Sequence, residues 1–463
     1  MRQRLGGLRL GGVSLWLGAV AVGLLGACGS DHAAAPTPTP TATPVTTGAF
    51  VHVYYVVDAG ASSYSPGLMT FSVNPGTGLL SLAGTMPLRS GSPVAVSDGT
   101  ALAADPSETV VAADPQGRFV YYESNDSNDR GVRSYRVDAT GALTPVSEAK
   151  HNLWGRLVPA AQHLYLGTKC DYPDYGVPIS LPTFFLRLLS VDTGGVLGTP
   201  QILASNECWV PDPSGTRYHT FLAADPDLDI LYTYTELGAS LITAAALDSS
   251  SGSVGLREIA VLDLMRPGGG LGPIEMDEPY NNVCLAARGL FFIVDDKRSL
   301  YSLDLIDPSV SPVARGLIPD AAEPTMRMAY APPRLLAVAT PHQYVQPGYS
   351  WAVTGIHLYQ VGGGGELSLL SALPDGSFDN ILSFAFHPSG RFLYVAGVVS
   401  DRLPTTSSEQ ATSASAQTVS LLTFSVEPDG SLRLFGSVPI GTYDQRTLAQ
   451  QRFGTIVVTA PPS

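Results

Sequence analysis

Apolar positions recur along this chain in short runs, four to eight residues long, that end at Gly, Pro, Asn or Asp. Seven of these runs share a form: FVHVYYVV around Tyr54, RFVYY around Tyr121, HLYLG around Tyr165, ILYTY around Tyr232, LFFIV around Phe292, LLAVA around Ala337 and RFLYVA around Tyr394. Runs of this length, rich in β-branched and aromatic residues and bounded by turn formers, predict strands. Six intervals separate Tyr54 from Tyr394, with a mean of about 57 residues. A fixed period on that scale is the mark of a repeat architecture.

The units have internal structure. A second strand-like segment follows each run, as in LMTFSVN, GVRSYRVD, LRLLSVD, LITAAALD, LYSLDL, IHLYQV and LLTFSV. A Gly turn and another apolar run come next, as in TGLLSL, TGALTPV, GGELSLL and DGSLRLF. Some first runs are preceded by an apolar segment ending in a Pro turn: TVVAADP, TFLAADP and SFAFHP. The unit is therefore four short strands, and seven such units predict an all-β, seven-bladed β-propeller. The first unit starts at its second strand, and the chain ends with an unclaimed strand from Phe453 to Ala460. Pairing those two ends closes the ring and removes the free edges.

Composition agrees with strands and turns. The chain has 463 residues, of which 44% are hydrophobic and 14% charged, with 48 Gly and 37 Pro. Its net charge of −14 and lack of a Lys/Arg cluster argue against a nucleic-acid partner.

The first 48 residues follow a different pattern. Arg2, Arg4 and Arg9 precede an apolar stretch from Gly11 to Ala27, the layout of a secretory signal. Its end, Leu25-Gly-Ala-Cys28, resembles the bacterial lipobox, which implies removal of residues 1–27 and acylation of Cys28. Several acyl chains on one residue anchor stably, whereas one alone is marginal. Gly29 after the cysteine resembles a signal for the outer membrane. Residues 28–48, rich in alternating Pro and Thr, read as an extended tether of up to about 60 Å at roughly 3.1 Å per residue. The expected partner of this segment is thus a membrane, and the propeller is expected over residues 49–463 as a monomer.

The phrases DPQGRFVYYESN…VRSYRVDATGALTPV and HPSGRFLYVAGV…LLTFSVEPDGSLRLF resemble the lactonase-type seven-bladed propeller family, which includes 6-phosphogluconolactonase. The resemblance implies a site at one end of the central channel, on blade 4. In GTRYHTFLAADPDLDILYTYTE it implies catalytic roles for Arg217, His219 and Glu236. Arg217 and His219 stand two residues farther from Pro226 than the family pattern has them, and Arg298 is two positions late for the family's next arginine. Lactone hydrolysis needs a base to activate water and donors to hold the oxyanion, which His219, Glu236 and Arg217 can supply. An exported chain would not meet a cytoplasmic sugar phosphate, however. The first expectation is therefore a binding or scaffolding module for an envelope protein or small ligand. The alternative is an extracytoplasmic hydrolase of a cyclic ester.

The remaining chemistry is sparse. Cys170 and Cys208 are a candidate disulfide in an oxidising compartment, with Cys284 expected as a small core residue. No metal site or cofactor is expected, because neither the cysteines nor the eight histidines show zinc spacing. The acidic stretches DDKRS and DPDLD depart from calcium-loop spacing and read as solvated turns. VGGGGELS, with no helix or Lys after it, reads as a hairpin loop. Trp154, Trp209 and Trp351 lie near loops, as candidates for a ligand surface.

Overall fold

The computed structural model describes residues 48–60, 63–88, 94–95, 111–124, 131–150, 156–160, 163–167, 183–207, 211–212, 215–216, 218–236, 240–248, 254–266, 274, 284–294, 299–305, 314–317, 327–331, 334–346, 349–363, 365–399, 417–443 and 451–460. The chain divides into two units, Met1–Val45 and Thr46–Ser463, and the described residues all belong to the second.

Every described element is a strand. Blade 1 orders Gln451–Thr459, Phe50–Gly60, Ser63–Val73 and Leu80–Pro87, so the last strand of the chain is its first. Blade 2 runs Val111–Ala113, Phe119–Ser124, Gly131–Val137, Leu143–Lys150, and blade 3 Arg156–Pro159, His163–Gly167, Thr183–Ser190, Gln201–Glu207. Blade 4 runs Tyr218–Asp225, Ile230–Glu236, Ser240–Asp248, Gly255–Asp263, and blade 5 Cys284–Ala287, Leu290–Val294, Ser299–Asp304, Ala314–Leu317. Blade 6 begins Arg327–Ala331, Leu335–Gln346, Tyr349–Val361, and blade 7 ends Phe392–Val399, Gln417–Val426, Leu432–Tyr443. Blades 6 and 7 share the 20-residue strand Leu367–Phe386. Its first part pairs with Tyr349–Val361 and its second with Phe392–Val399; Phe378 pairs with both Thr354 and Val399. All seven runs singled out in the sequence are second strands.

The ring closes in three independent ways. The first strands of neighbouring blades touch all the way round, including the blade 7 to blade 1 step. Seven separate apolar clusters fill the seven gaps between neighbouring blades, and the one across the seam unites Val51, Val53 and Phe71 with Phe392, Tyr394, Val419 and Ile456. The terminal strand pairs antiparallel with the first from Phe50↔Thr459 to Val57↔Gln451. Inside that pairing His52 is fully buried, with Nδ1 3.0 Å from Thr70 Oγ1 and Nε2 2.9 Å from Thr459 Oγ1. Burial drops its pKa to about 3, so the imidazole is neutral.

The two-sided cores explain why the second strands are almost wholly apolar. Alternate residues of one strand feed different neighbours: Phe119 and Tyr121 pack toward blade 3, Val120 and Tyr122 toward blade 1. Phe119–Ser124 is consequently buried at every position. The Gly of the third-to-fourth turn has a packing role. Gly141, at φ +81°, lies against the Phe50 ring, and Gly195, at φ +85°, against Phe119. Each thus serves a turn needing positive φ and a close blade-to-blade approach, where a Cβ would strike the ring.

One repeating feature is not marked by the turn residues. In six blades the fourth strand carries a one-residue bulge opposite the third, at Ala83, Val146, Leu203, Ile259, Leu370 and Phe435. Val146, Leu203, Ile259 and Leu370 pack partly buried on inter-blade cores. A bulge on the outermost strand also disrupts the edge that could template aggregation.

Candidate functional site

The sequence candidates occupy one end of blade 4. His219 lies in the first strand opposite Thr235, and Glu236 ends the second strand opposite Tyr218 and Ser240. The backbone thus brings the two to neighbouring strands, one register step apart; consecutive register positions alternate between the faces of a sheet. Arg217, Arg298, Cys28, Cys170, Cys208, Trp154 and Trp209 lie outside the described residues, as do the side chains of His219, Glu236, Cys284 and Trp351.

The other end of the same blade carries a dense polar cluster. The turn Asp225-Pro-Asp-Leu-Asp229 joins the first two strands, and Asp225 is fully buried rather than solvated. Its Oδ1 accepts from the backbone N–H of Asp227 at 2.9 Å and of Leu228 at 3.1 Å, which holds the turn closed. Its Oδ2 accepts from the Gly289 N–H of blade 5, so one carboxylate ties two blades together. Asp229, at φ +58°, accepts from the Tyr165 hydroxyl at 2.5 Å and lies 2.8 Å from His163 Nδ1, both on blade 3. Burial alone would raise the Asp229 pKa, but the hydrogen bonds from His163 and Tyr165 outweigh it and hold the carboxyl below its usual value.

Blade 5 turns differently. Ala287 pairs directly with Leu290, leaving a two-residue turn of Arg288 at φ +51° and Gly289 at φ +85°. Positive φ at both central residues is the type I′ geometry, which favours Asn, Asp or Gly at the first position. An unbranched cationic side chain there carries a strain of about 1 kcal/mol or more, and such outliers gather at ligand clamps. The same corner in blades 2, 4 and 7 has four residues, between Asp114 and Phe119, Asp225 and Ile230, and His387 and Phe392. The blade 5 corner is thus two residues shorter than that of blade 4, and a recess lies beside it.

That recess is a cavity of about 290 Å³. Leu228 of blade 4, Arg288, Gly289, Leu290 and Asp304 of blade 5, and Tyr330, Arg334 and Gly363 of blade 6 line it. Arg288 Nε is 3.6 Å from Asp227 Oδ2, with both side chains about half exposed. Tyr330 stacks on Phe292 at a centroid distance of 5.9 Å. Burial raises the pKa of the Tyr330 hydroxyl, which Arg288 and Arg334 oppose. Two guanidiniums, a phenol hydroxyl and a carboxylate line the recess, an arrangement that suits binding by charge and hydrogen bonds. It lies about 20 Å from the His219 and Glu236 end, judged by the rise of the seven-residue strand Ile230–Glu236. Among the described residues no group of three or more His, Cys, Asp or Glu side chains is arranged to hold a metal ion.

No family model matches the chain. No curated protein matches it. Among solved structures, a periplasmic gluconolactonase from Pseudomonas aeruginosa superposes with TM-score 0.49 at 13% identity, over 89% of this chain and 100% of that one. A candidate 6-phosphogluconolactonase from Bacteroides uniformis gives TM-score 0.49 at 14% identity, over 87% and 99%. A protein from Lactobacillus plantarum gives 0.45 at 12%, over 88% and 99%. The fold assignment stands on the strand pairing and the seven inter-blade cores, without these likenesses.

Proposed function

We propose that the chain is a ligand-binding module of the cell envelope, tethered to a membrane through acylated Cys28 and residues up to 48. The observation that carries the binding part is the recess between blades 4, 5 and 6, lined by two arginines of which one is kept in a strained turn. Natural sequences depart from local rules most often at functional sites. The anchoring part is supported by the basic segment, apolar stretch and Leu25-Gly-Ala-Cys28 ending of the sequence alone.

The second reading, a hydrolase of a cyclic ester, has one observation for it and one against: His219 and Glu236 sit on neighbouring strands at the same end of blade 4, but one register step apart, and consecutive positions alternate between faces. Two experiments separate these readings. Palmitate labelling of the full-length chain should disappear in Cys28→Ser; labelling that survives removes the anchor. A screen of lactones against the wild-type chain should show no turnover. Turnover that is lost in both His219→Ala and Glu236→Ala would replace the binding reading with the hydrolase.

A further inference from the structure

Resting on the binding reading, we propose that the recess between blades 4, 5 and 6 takes a small organic oxyanion, a carboxylate or phosphate ester with a compact apolar body. Arg288 and Arg334 hold its charge from two sides. The cavity size, about 290 Å³, is at the low end for small-molecule sites and too small for a folded partner.

Four features specify the chemistry. First, Arg288 occupies a turn position where Asn or Gly would be less strained, and the turn itself needs no guanidinium. Its one ion pair among the described residues runs from Nε to Asp227 at 3.6 Å, too long for a hydrogen bond, so its Nη donors are available for an oxyanion. Second, Arg334 reaches the recess from the blade 6 corner, where Gly363 gives it room: a Cβ there would come within 3.3 Å of Nη1. Two guanidiniums on one small cavity match the fork geometry of carboxylate or phosphate. Third, the Tyr330 ring, fixed by stacking on Phe292, adds a hydroxyl donor within the electrostatic reach of both arginines. Fourth, Leu228 and Leu290 supply an apolar wall.

The test is a calorimetric titration of the full-length chain with four probes: benzoate, phenyl phosphate, inorganic phosphate and methyl benzoate, the last a neutral control. Benzoate or phenyl phosphate should bind, and methyl benzoate should not. Which of the two binds more tightly assigns the carboxylate or the phosphate ester as the ligand's charged group. Binding to inorganic phosphate weaker than to phenyl phosphate supports the apolar wall; equal binding removes it. Arg334→Gln and Arg288→Gly should each weaken the anion by roughly tenfold or more, the loss of about one charge-assisted hydrogen bond. Arg118→Ala, at the blade 2 corner, should leave it unchanged. Arg288→Gly suits its left-handed backbone position, so loss of binding in that variant is not loss of fold. Anion binding that both variants retain overturns the proposal. Methyl benzoate binding in place of the anions overturns the charge assignment while leaving a binding module. If no probe binds, the oxyanion proposal fails, and the lactone screen alone decides the binding reading.

Discussion

The corner between first and second strands is built in two ways, and the contrast separates scaffold from site. In blade 2 the corner is self-contained. Asp114 accepts from the backbone N–H groups of Arg118 and Phe119 and pairs with Arg118 Nε at 3.0 Å, while the guanidinium lies 5.2 Å from the centroid of the Phe119 ring. The Asp114 carboxylate is used within one turn. Blade 7 repeats the design with a neutral imidazole: His387 Nδ1 accepts from the Ser389 N–H at 3.1 Å, and Arg391 lies 5.5 Å from the Phe392 centroid. In blades 4 and 5 the same corner reaches outward. Asp225 bonds the next blade, Asp229 the preceding one, and Arg288 pairs with Asp227 of blade 4 and lines a cavity. A corner that spends its polar groups on itself only closes its own turn; the blade 4 corner joins its neighbours, and the blade 5 corner beside it lines a cavity.

Five substitutions would break or sharpen this contrast. The largest effect is expected from Asp225→Ala, which strips an acceptor from the buried Gly289 amide and from the part-buried amides of Asp227 and Leu228 and should cost about 3 kcal/mol. Chemical denaturation should show that loss together with loss of anion binding, whereas Asp114→Ala should destabilise comparably and bind normally. Binding lost in both variants would erase the distinction between the corners.

The next effect depends on pH. Burial, with help from Arg391, lowers the His387 pKa to about 4 from 6.5. The unfolded chain therefore binds the proton first, and stability is complete above pH 6.5 and falls as pH drops toward 4, by up to about 1.4 kcal/mol per unit. His387→Asp restores the blade 2 corner, so its melting temperature should fall less than that of the wild type between pH 6.5 and 4. His52, lowered to about 3, adds a second slope that this variant retains. An unchanged pH profile would show that the corner imidazole is not a determinant of acid stability.

A smaller and opposite effect is expected for Arg288→Gly. Glycine relieves the positive φ, so stability should rise by about 1 kcal/mol, a shift of a few degrees in melting temperature. The smallest is Arg118→Ala: its partly exposed ion pair should be worth at most about 1 kcal/mol, with no change in binding. A gain in stability there would mean that the blade 2 corner, too, is strained for function.

Much of the ring was legible because its physics is repetitive. Tyr121 and Tyr394 announce second strands, since a strand buried on both faces has to be apolar at nearly every position. The unclaimed strand at the end of the chain announced closure for the same reason, an apolar run with no neighbour. Other features left no such trace. The bulge residues, from Val146 to Leu370, look like ordinary apolar positions, and only the pairing register reveals the extra residue. DPDLD reads as a solvated acidic turn because nothing local reports that Gly289 of the next blade caps Asp225. Arg288 did leave a signal, in CLAARGLFF: two apolar runs separated by two residues ending in Gly mark a tight hairpin, with arginine where asparagine is expected. The cavity itself joins three blades, at Leu228, Arg288 and Arg334, and no local pattern connects residues so far apart.

The most direct test compares wild type and Arg288→Gly in one melting experiment, with and without phenyl phosphate and benzoate. A strained arginine kept for a ligand predicts a free variant that melts above the wild type. It also predicts that the rise in melting temperature given by the anion to the wild type is lost. A variant that melts no higher and still gains the full wild-type rise would contradict the account.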